Sequence, residues 1–214
     1  MLSRFYLLAI PIIIGILTGV FLSFSNEPEN NTLLTAKNLI EYGSPVIGSP
    51  FAPITIIEWG DYQCTFCYRF HQTSLDHILN EYVETGKVKL VFKDFPLNGP
   101  DSVLAAEATY CADDQGKYWE YHDELYNNWG GEKTGWITRD SLERFAISVE
   151  LDLEKFNACL DSGKYQNHVL SSYKFGQEIG IDATPSFLIF NDEKVMKIRG
   201  NQPLEVFLKS FEEL

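Results

Sequence analysis

The chain has 214 residues, 30 Asp and Glu against 17 Lys and Arg, a formal charge of −13 and four Cys. With 45% apolar and 14% aromatic residues it can build a sizeable core, which excludes a disordered or fibrous chain. The acidic balance argues against nucleic acid as a partner, because phosphate binding needs a basic surface. Four Cys are too few for a disulfide-dense mini-scaffold.

The first predicted element is apolar. Residues 5–24 carry no charge, and twenty residues at about 1.5 Å each match the roughly 30 Å of a bilayer's hydrocarbon core. Arg4 precedes the run and Glu27 and Glu29 follow it, so the positive-inside tendency keeps the N-terminus cytoplasmic and exports the rest. Residues 1–25 therefore read as a transmembrane helix that anchors the chain. A cleaved signal peptide ending near Ser23-Phe24-Ser25 is the alternative, although its apolar region is ordinarily shorter. A buried core helix is disfavoured by the missing polar face and by Pro11. Both leading readings place the remainder outside the cytoplasm, where disulfides persist. Residues 26–45 are a polar linker with a short helix around 33–42, and Asn30-Asn31-Thr32 is a glycosylation sequon.

From residue 46 the pattern is mixed. Ile54–Gly60 is a β-branched run that reads as a buried strand. Residues 65–85 have helical spacing through Phe66, Phe70, Ser74, Leu75, Ile78, Leu79 and Tyr82. Residues 87–95 alternate like a strand, and the intervening helix makes this a βαβ crossover with a parallel pair. Residues 101–179 read as helix after helix, with turns near Gly116, Gly130-Gly131, Leu151-Asp152 and Gly163. Ser186–Phe190 and 194–199 form a hairpin, and Pro203 opens a terminal helix over 204–214. The expected architecture is an α/β domain over 46–214 with a helical subdomain inserted at about 100–179.

Cys64-Thr65-Phe66-Cys67 stands where a strand ends and a helix begins. Free amides and the positive end of the helix dipole favour an anion there, which biases Cys64 toward the reactive thiolate. Cys67 lies one turn along, within reach of a disulfide and able to resolve a mixed one. The competing readings are half of a zinc site, for which no second Cys-x-x-Cys or His pair is present, and a structural disulfide, which adds little in so short a loop. Glu58 lies six residues before Cys64 among Ile54, Ile56, Ile57 and Trp59. Burial would raise its pKa and suit it to move protons to and from Cys67; the alternative is an edge residue with no role. Thr184-Pro185 precedes the hairpin and by itself reads as an ordinary trans loop proline.

Glu-Trp-Gly-Asp-Tyr-Gln-Cys64-Thr-Phe-Cys67-Tyr-Arg-Phe, with Ala-Thr184-Pro185-Ser-Phe near the C-terminus, resembles the thioredoxin-like DsbA-type thiol–disulfide oxidoreductases. The likeness extends over roughly 46–214 and includes Ala-Glu-Ala-Thr-Tyr-Cys111 and Lys-Tyr-Trp-Glu-Tyr-His-Asp-Glu-Leu-Tyr126 in the insertion. It implies a thioredoxin-like fold, Cys64 as the exposed nucleophile, Cys67 as the buried resolving thiol and Glu58 at the buried-carboxylate position. It also implies a cis Pro185 beside the pair, and a Thr184 that offers backbone groups to a substrate peptide as an added strand. Thr65 and Phe66 join Thr184 and Pro185 as expected substrate-binding residues. Where DsbA prototypes carry Pro-His between the cysteines, this chain carries Thr65-Phe66. No imidazole supports the thiolate there, so the Cys64 pKa is expected below the free value but above that of the strongest oxidants.

Cys111 and Cys159 lie on apolar helical stripes in an oxidising compartment and are expected to form a structural disulfide, a pairing similar to those of relatives; two separate buried thiols are the alternative. Tyr118, Trp119, His122, Tyr126 and Trp129 form an aromatic stripe that reads as packing between insertion and core, or as a groove wall. His71, His77 and His168 have no partner pattern and are expected at the surface. No metal, nucleotide or flavin site is visible, and the chemistry needs no cofactor beyond the two thiols.

The expected function is disulfide exchange with exported thiol proteins by an enzyme held at the outer face of the cytoplasmic membrane, working as an oxidase. The resemblance implies reoxidation by a quinone-linked membrane partner of the DsbB or vitamin-K-epoxide-reductase-like type. A reductase or isomerase kept reduced by a membrane donor, and a redox-silent peptide-binding module, are the alternatives.

Overall fold

The computed structural model describes residues 35–214, so the apolar segment at 5–24, the possible cleavage site near 23–25 and the sequon at 30–32 lie outside the described residues. Among the described residues, no helix is long and apolar enough to cross a membrane.

A short helix α1 (Ala36–Ile40), capped by the Thr35 hydroxyl, opens the described chain. Four strands follow in one sheet: β1 (Ile54–Gly60), β2 (Val88–Asp94), β3 (Ser186–Phe190) and β4 (Val195–Arg199), in the order β2-β1-β3-β4. β1 and β2 are parallel, from Ile54 opposite Val88 to Gly60 opposite Asp94, while β1–β3 and β3–β4 are antiparallel. Every residue of β1 is buried, as befits a central strand covered on both faces. The free edge of β2 is closed by Ser44 and Ile47, which bond to Phe92 and Leu90. Leu39 is buried in the core as well, so the folded unit begins ahead of the expected linker end at 45.

One face of the sheet packs Ile56, Leu90, Phe187 and Ile189 against Phe70, Ile78, Phe207 and Phe211. The last two come from α9 (Leu204–Glu212). The long helix expected over 65–85 is interrupted. It runs as α2 (Thr65–Phe70), a π turn (His71–Leu75), α3 (Asp76–Ile78) and a second π turn (Leu79–Val83). Local chemistry explains part of this, because the Thr73 hydroxyl donates to the Arg69 carbonyl at 2.8 Å and competes for a ladder acceptor.

The insertion is helical throughout: α4 (Pro100–Asp113), α5 (Tyr118–Asn127), α6 (Arg139–Ser148), α7 (Leu153–Asp161) and α8 (Gln166–Glu178). Gly116 takes φ 72° just past α4, a left-handed position where a side chain would be strained. Cys111 on α4 and Cys159 on α7 are joined, with an S–S distance of 2.00 Å and Cα atoms 5.7 Å apart. Tyr62, Cys64, Cys67 and Phe92 belong to the same buried cluster as Ala108, Tyr121 and Leu125 of the insertion. The insertion thus builds one wall around the cysteine pair.

Candidate active site

β1 ends at Gly60, and the turn to α2 is pinned by one carboxylate. Asp61 accepts from the Gln63 amide, the Ser102 hydroxyl, and the backbone and side-chain amides of Asn98, all at 2.7–3.1 Å. A loop of the insertion clamps the same turn. Trp129 donates its indole N–H to the Gln63 carbonyl (3.1 Å), Lys133 its amide to Gln63 Oε1 (3.0 Å), and Glu132 Oε1 accepts from the Thr65 amide (2.8 Å). Trp129 also stacks on Tyr68, rings 4.6 Å apart and 9° from parallel. Asp61 and Glu132 carry no local signature; the signals for the clamp in the sequence are the Gly130-Gly131 turn and Trp129 of the aromatic stripe.

Cys64 is the N-cap of α2, and its sulfur accepts from the Cys67 amide at 3.4 Å. The Cys64 thiol also reaches the Thr184 carbonyl at 3.4 Å. Thr184-Pro185 is the cis peptide bond among the described residues. The pair implied from sequence positions 120 residues apart is therefore brought together by the sheet. Both Cys64 and Cys67 are free thiols. Cys64 keeps only 5% of its surface, which corrects the expectation of an exposed nucleophile. It is packed into the cluster shared with the insertion and lies against the Thr184 carbonyl. Phe66 is half-exposed, with the Arg69 guanidinium 5.3 Å from its ring centre.

The two thiols are driven apart electrostatically. Hydrogen bonding from the Cys67 thiol, assisted by Thr184 and the amides of Cys67 and Phe66, lowers the Cys64 pKa from 9.0 to about 7 against the opposing cost of burial. Cys67 is fully buried, and burial followed by the Cys64 hydrogen bond and charge pushes it well above 9.0. Near neutral pH the pair is thus poised as one thiolate and one thiol, with the attacking thiol's pKa close to ambient pH, where exchange is fastest.

Glu58 lies within β1, its oxygen 3.4 Å from where a Gly60 side chain would start, in a space that the Phe92 ring otherwise fills. Burial, and then the Cys64 charge, raise its pKa well above 4.5. Its charge is in turn felt by Cys67, Tyr62 and Tyr126. It is a buried acid of the central strand whose charge reaches the resolving thiol, and not an edge residue.

Tyr118, His122 and Tyr126 of the aromatic stripe are buried between insertion and core, which is the packing reading. Two histidines depart from expectation. His71 is buried against Asp123 and Tyr126, and His168 is half-buried against Tyr110; His77 alone of the three is at the surface. His71 follows Cys67 by four residues, on the same buried face as Phe70, Ser74, Leu75 and Ile78, so helical spacing itself carries it inward.

A thioredoxin-like sheet, a Cys-x-x-Cys at a helix start, a buried acid in the strand that leads to it and a cis Thr184-Pro185 bond whose carbonyl side meets the first sulfur define a thiol–disulfide oxidoreductase. The family model described as Thioredoxin matches residues 41–210, and the chain belongs to that family. It is 32% identical over 148 residues to a "Probable disulfide bond formation protein D" of Bacillus cereus, covering 67% of this chain and 68% of the relative. It is 30% identical to the "Disulfide bond formation protein D" of Bacillus subtilis, covering 72% and 70%. Among solved structures it is similar to oxidised BdbD from B. subtilis, with TM-score 0.72 at 26% identity over 81% of this chain and 93% of that one. Wolbachia pipientis α-DsbA1 follows, with TM-score 0.70 at 26% identity over 79% and 89%.

Proposed function

We propose that the chain is an oxidase that donates the Cys64–Cys67 disulfide to exported proteins. The observation that carries this is geometric: Cys64 caps α2 against Thr184 beside cis Pro185, and the hydrogen bonds to its sulfur add a small thiolate term that favours the reduced form of the enzyme. The names of the relatives, which are disulfide bond formation proteins, support the same direction. A substrate thiolate attacks Cys64 in the oxidised enzyme and the Cys64–Cys67 bond breaks. A mixed disulfide forms at Cys64, with the electron pair on Cys67. The substrate's second thiol then displaces Cys64. Two electrons and two protons pass to the enzyme for each substrate disulfide made. Glu58 takes and returns the Cys67 proton, and Thr184 beside cis Pro185 bonds the substrate backbone.

The size of the thiolate term matters. A fall from 9.0 to about 7 stabilises the reduced form by about 3 kcal/mol above pH 9, but by under about 1 kcal/mol at pH 7, or under about 20 mV. Cys64 alone does not make a very strong oxidant.

Residues 5–24 are proposed to anchor the enzyme, with its catalytic domain outside the cytoplasmic membrane. A quinone-linked membrane thiol oxidoreductase is proposed to reoxidise it. The test is the equilibrium of the Cys64–Cys67 pair with glutathione, together with oxidative refolding of a reduced substrate protein. A potential above the glutathione couple and catalysed refolding are the expected results. A potential well below that couple overturns the oxidase reading and makes the dithiol the working form.

A further inference from the structure

His71, His122 and Asp123 bring two imidazoles and a carboxylate together one helical turn past Cys67. One ligand atom from each lies within 4.8 Å of the others, and His71 Nε2 is 3.1 Å from Asp123 Oδ1. The ring centres of the two histidines are 6.0 Å apart. With Zn–N bonds of about 2.0–2.1 Å, two imidazoles on one tetrahedral zinc have centres about 5–5.5 Å apart, so closing onto an ion needs adjustments of about 1 Å.

Three further observations point the same way. His122 is held through Nδ1 by the Tyr62 hydroxyl at 3.0 Å, the outer-shell support that metal-ligating histidines ordinarily have. His71 Nδ1 instead accepts from the Gln72 side-chain amide at 3.3 Å, so an ion at His71 Nε2 displaces the proton shared with Asp123 and requires the Gln72 amide to turn its oxygen to Nδ1. A pocket lined by His71, Gln72, Asp76, Asp123 and Asn127 opens beside the cluster, giving an entry path and oxygen atoms to complete the coordination. His71 stands at the start of a π turn, a helical distortion found mostly at functional positions. The plain alternative is a histidine–carboxylate pair that only ties α2 to α5. Against it, Asp123 is half-exposed and can turn its carboxylate into the pocket.

We propose that His71, His122 and Asp123 bind one divalent transition-metal ion of the zinc class. Two nitrogen donors disfavour calcium and magnesium, which take oxygen sets. The site is separate from the exchange chemistry and stands or falls independently of it.

The test is a calorimetric Zn²⁺ titration of the full chain carrying Cys64→Ser and Cys67→Ser, so that the active thiols cannot ligate. One zinc per chain is the expected result. Asp123→Asn and His71→Gln, each added to that background, are expected to weaken binding at least about tenfold, with the near-ultraviolet circular dichroism of the fold retained. His122 is left in place because it is fully buried and its loss threatens the fold. No zinc binding in the thiol-free background overturns the proposal, and so does an affinity that neither variant changes.

Discussion

The two cysteine pairs of this chain sit in neighbouring parts of one core and have opposite chemistry. Cys111 and Cys159 are 48 residues apart, on two helices of the insertion, and are bonded. Cys64 and Cys67 are one helical turn apart at the start of α2, and are free. Sequence separation and local donors account for the contrast. Bridging a 48-residue loop removes much unfolded-state entropy, about 4 kcal/mol on the chain-entropy model, whereas a bridge over one turn removes little. The second pair instead meets helix amides and the Thr184 side chain, and the Cys67 thiol donates to Cys64, so that one sulfur is favoured as an anion. One bridge locks the insertion, and the other pair is left able to open and close.

The largest test breaks that division of labour. Cys64→Ser is expected to reduce thiol exchange to the uncatalysed background, measured by refolding of a reduced substrate. Cys111→Ala with Cys159→Ala is expected to leave exchange intact and to lower stability by about 2–4 kcal/mol, measured by denaturant unfolding. Exchange lost on removing Cys111 and Cys159, or stability lost equally on replacing Cys64, would erase the distinction.

A second test concerns Glu58. Replacing it with Gln removes the proton donor for the leaving Cys67 sulfur and is expected to slow the first attack of a substrate thiolate on the Cys64–Cys67 disulfide by about 100-fold, while displacement of Cys64 by the substrate's second thiol is little changed. The same variant reports on stability. A carboxyl whose folded pKa is raised favours folding only while protonated in both states, so its contribution is retained below about pH 4.5 and lost as pH rises toward the folded value. Glu58→Gln is therefore expected to be more stable than the parent at neutral pH and to lose that advantage below about pH 4.5. A variant that is less stable at both pH values would show Glu58 to be structural.

The third test sets the reactive pair on a pH scale. Capture of Cys64 by iodoacetamide is expected to rise with a midpoint near 7, with Cys67 silent over the same range. A midpoint near 9 would remove the electrostatic split on which the contrast between the pairs rests.

Much of this was legible in the sequence for a physical reason. β1 is a run of β-branched residues, and the Cys-x-x-Cys begins a helix, so local composition located the reactive pair. The helical insertion was legible from period and turn residues. What escaped were contacts made across long separations by residues without a local signature. Glu132 reaches Thr65 from a loop 67 residues away, and Asp61 holds Ser102 and Asn98. His71 looked like a surface residue because an imidazole carries no apolar signature, although it shares the buried helical face of Cys67, Phe70, Ser74 and Leu75. The exposure of Cys64 was inherited from the resemblance, and the packing of the insertion around it is a tertiary property.

The smallest effect is the one that most sharpens the comparison, because it isolates what the insertion does to the active pair. The Thr65 amide is one of the first free donors of α2, and the insertion fills it with the Glu132 carboxylate, whose own pKa that bond lowers. A full negative charge is thereby fixed at the helix start, where it opposes the Cys64 thiolate. Glu132→Gln keeps an oxygen for the Thr65 amide and removes the charge, so the clamp is preserved and only the field changes. The Cys64 pKa is expected to fall and iodoacetamide capture at pH 7 to quicken, but by no more than about twofold, since Glu132 is exposed and screened by solvent. Because the interaction is one of exposed charge, the gain is expected to shrink between low salt and 1 M salt, where the screening length is about 3 Å. A gain that persists at high salt would mean that the loop acts by holding the turn in place. A slower reaction would mean that the carboxylate helps the thiol it stands beside. Either result would change the role of the insertion from a brake on Cys64 to a support for it.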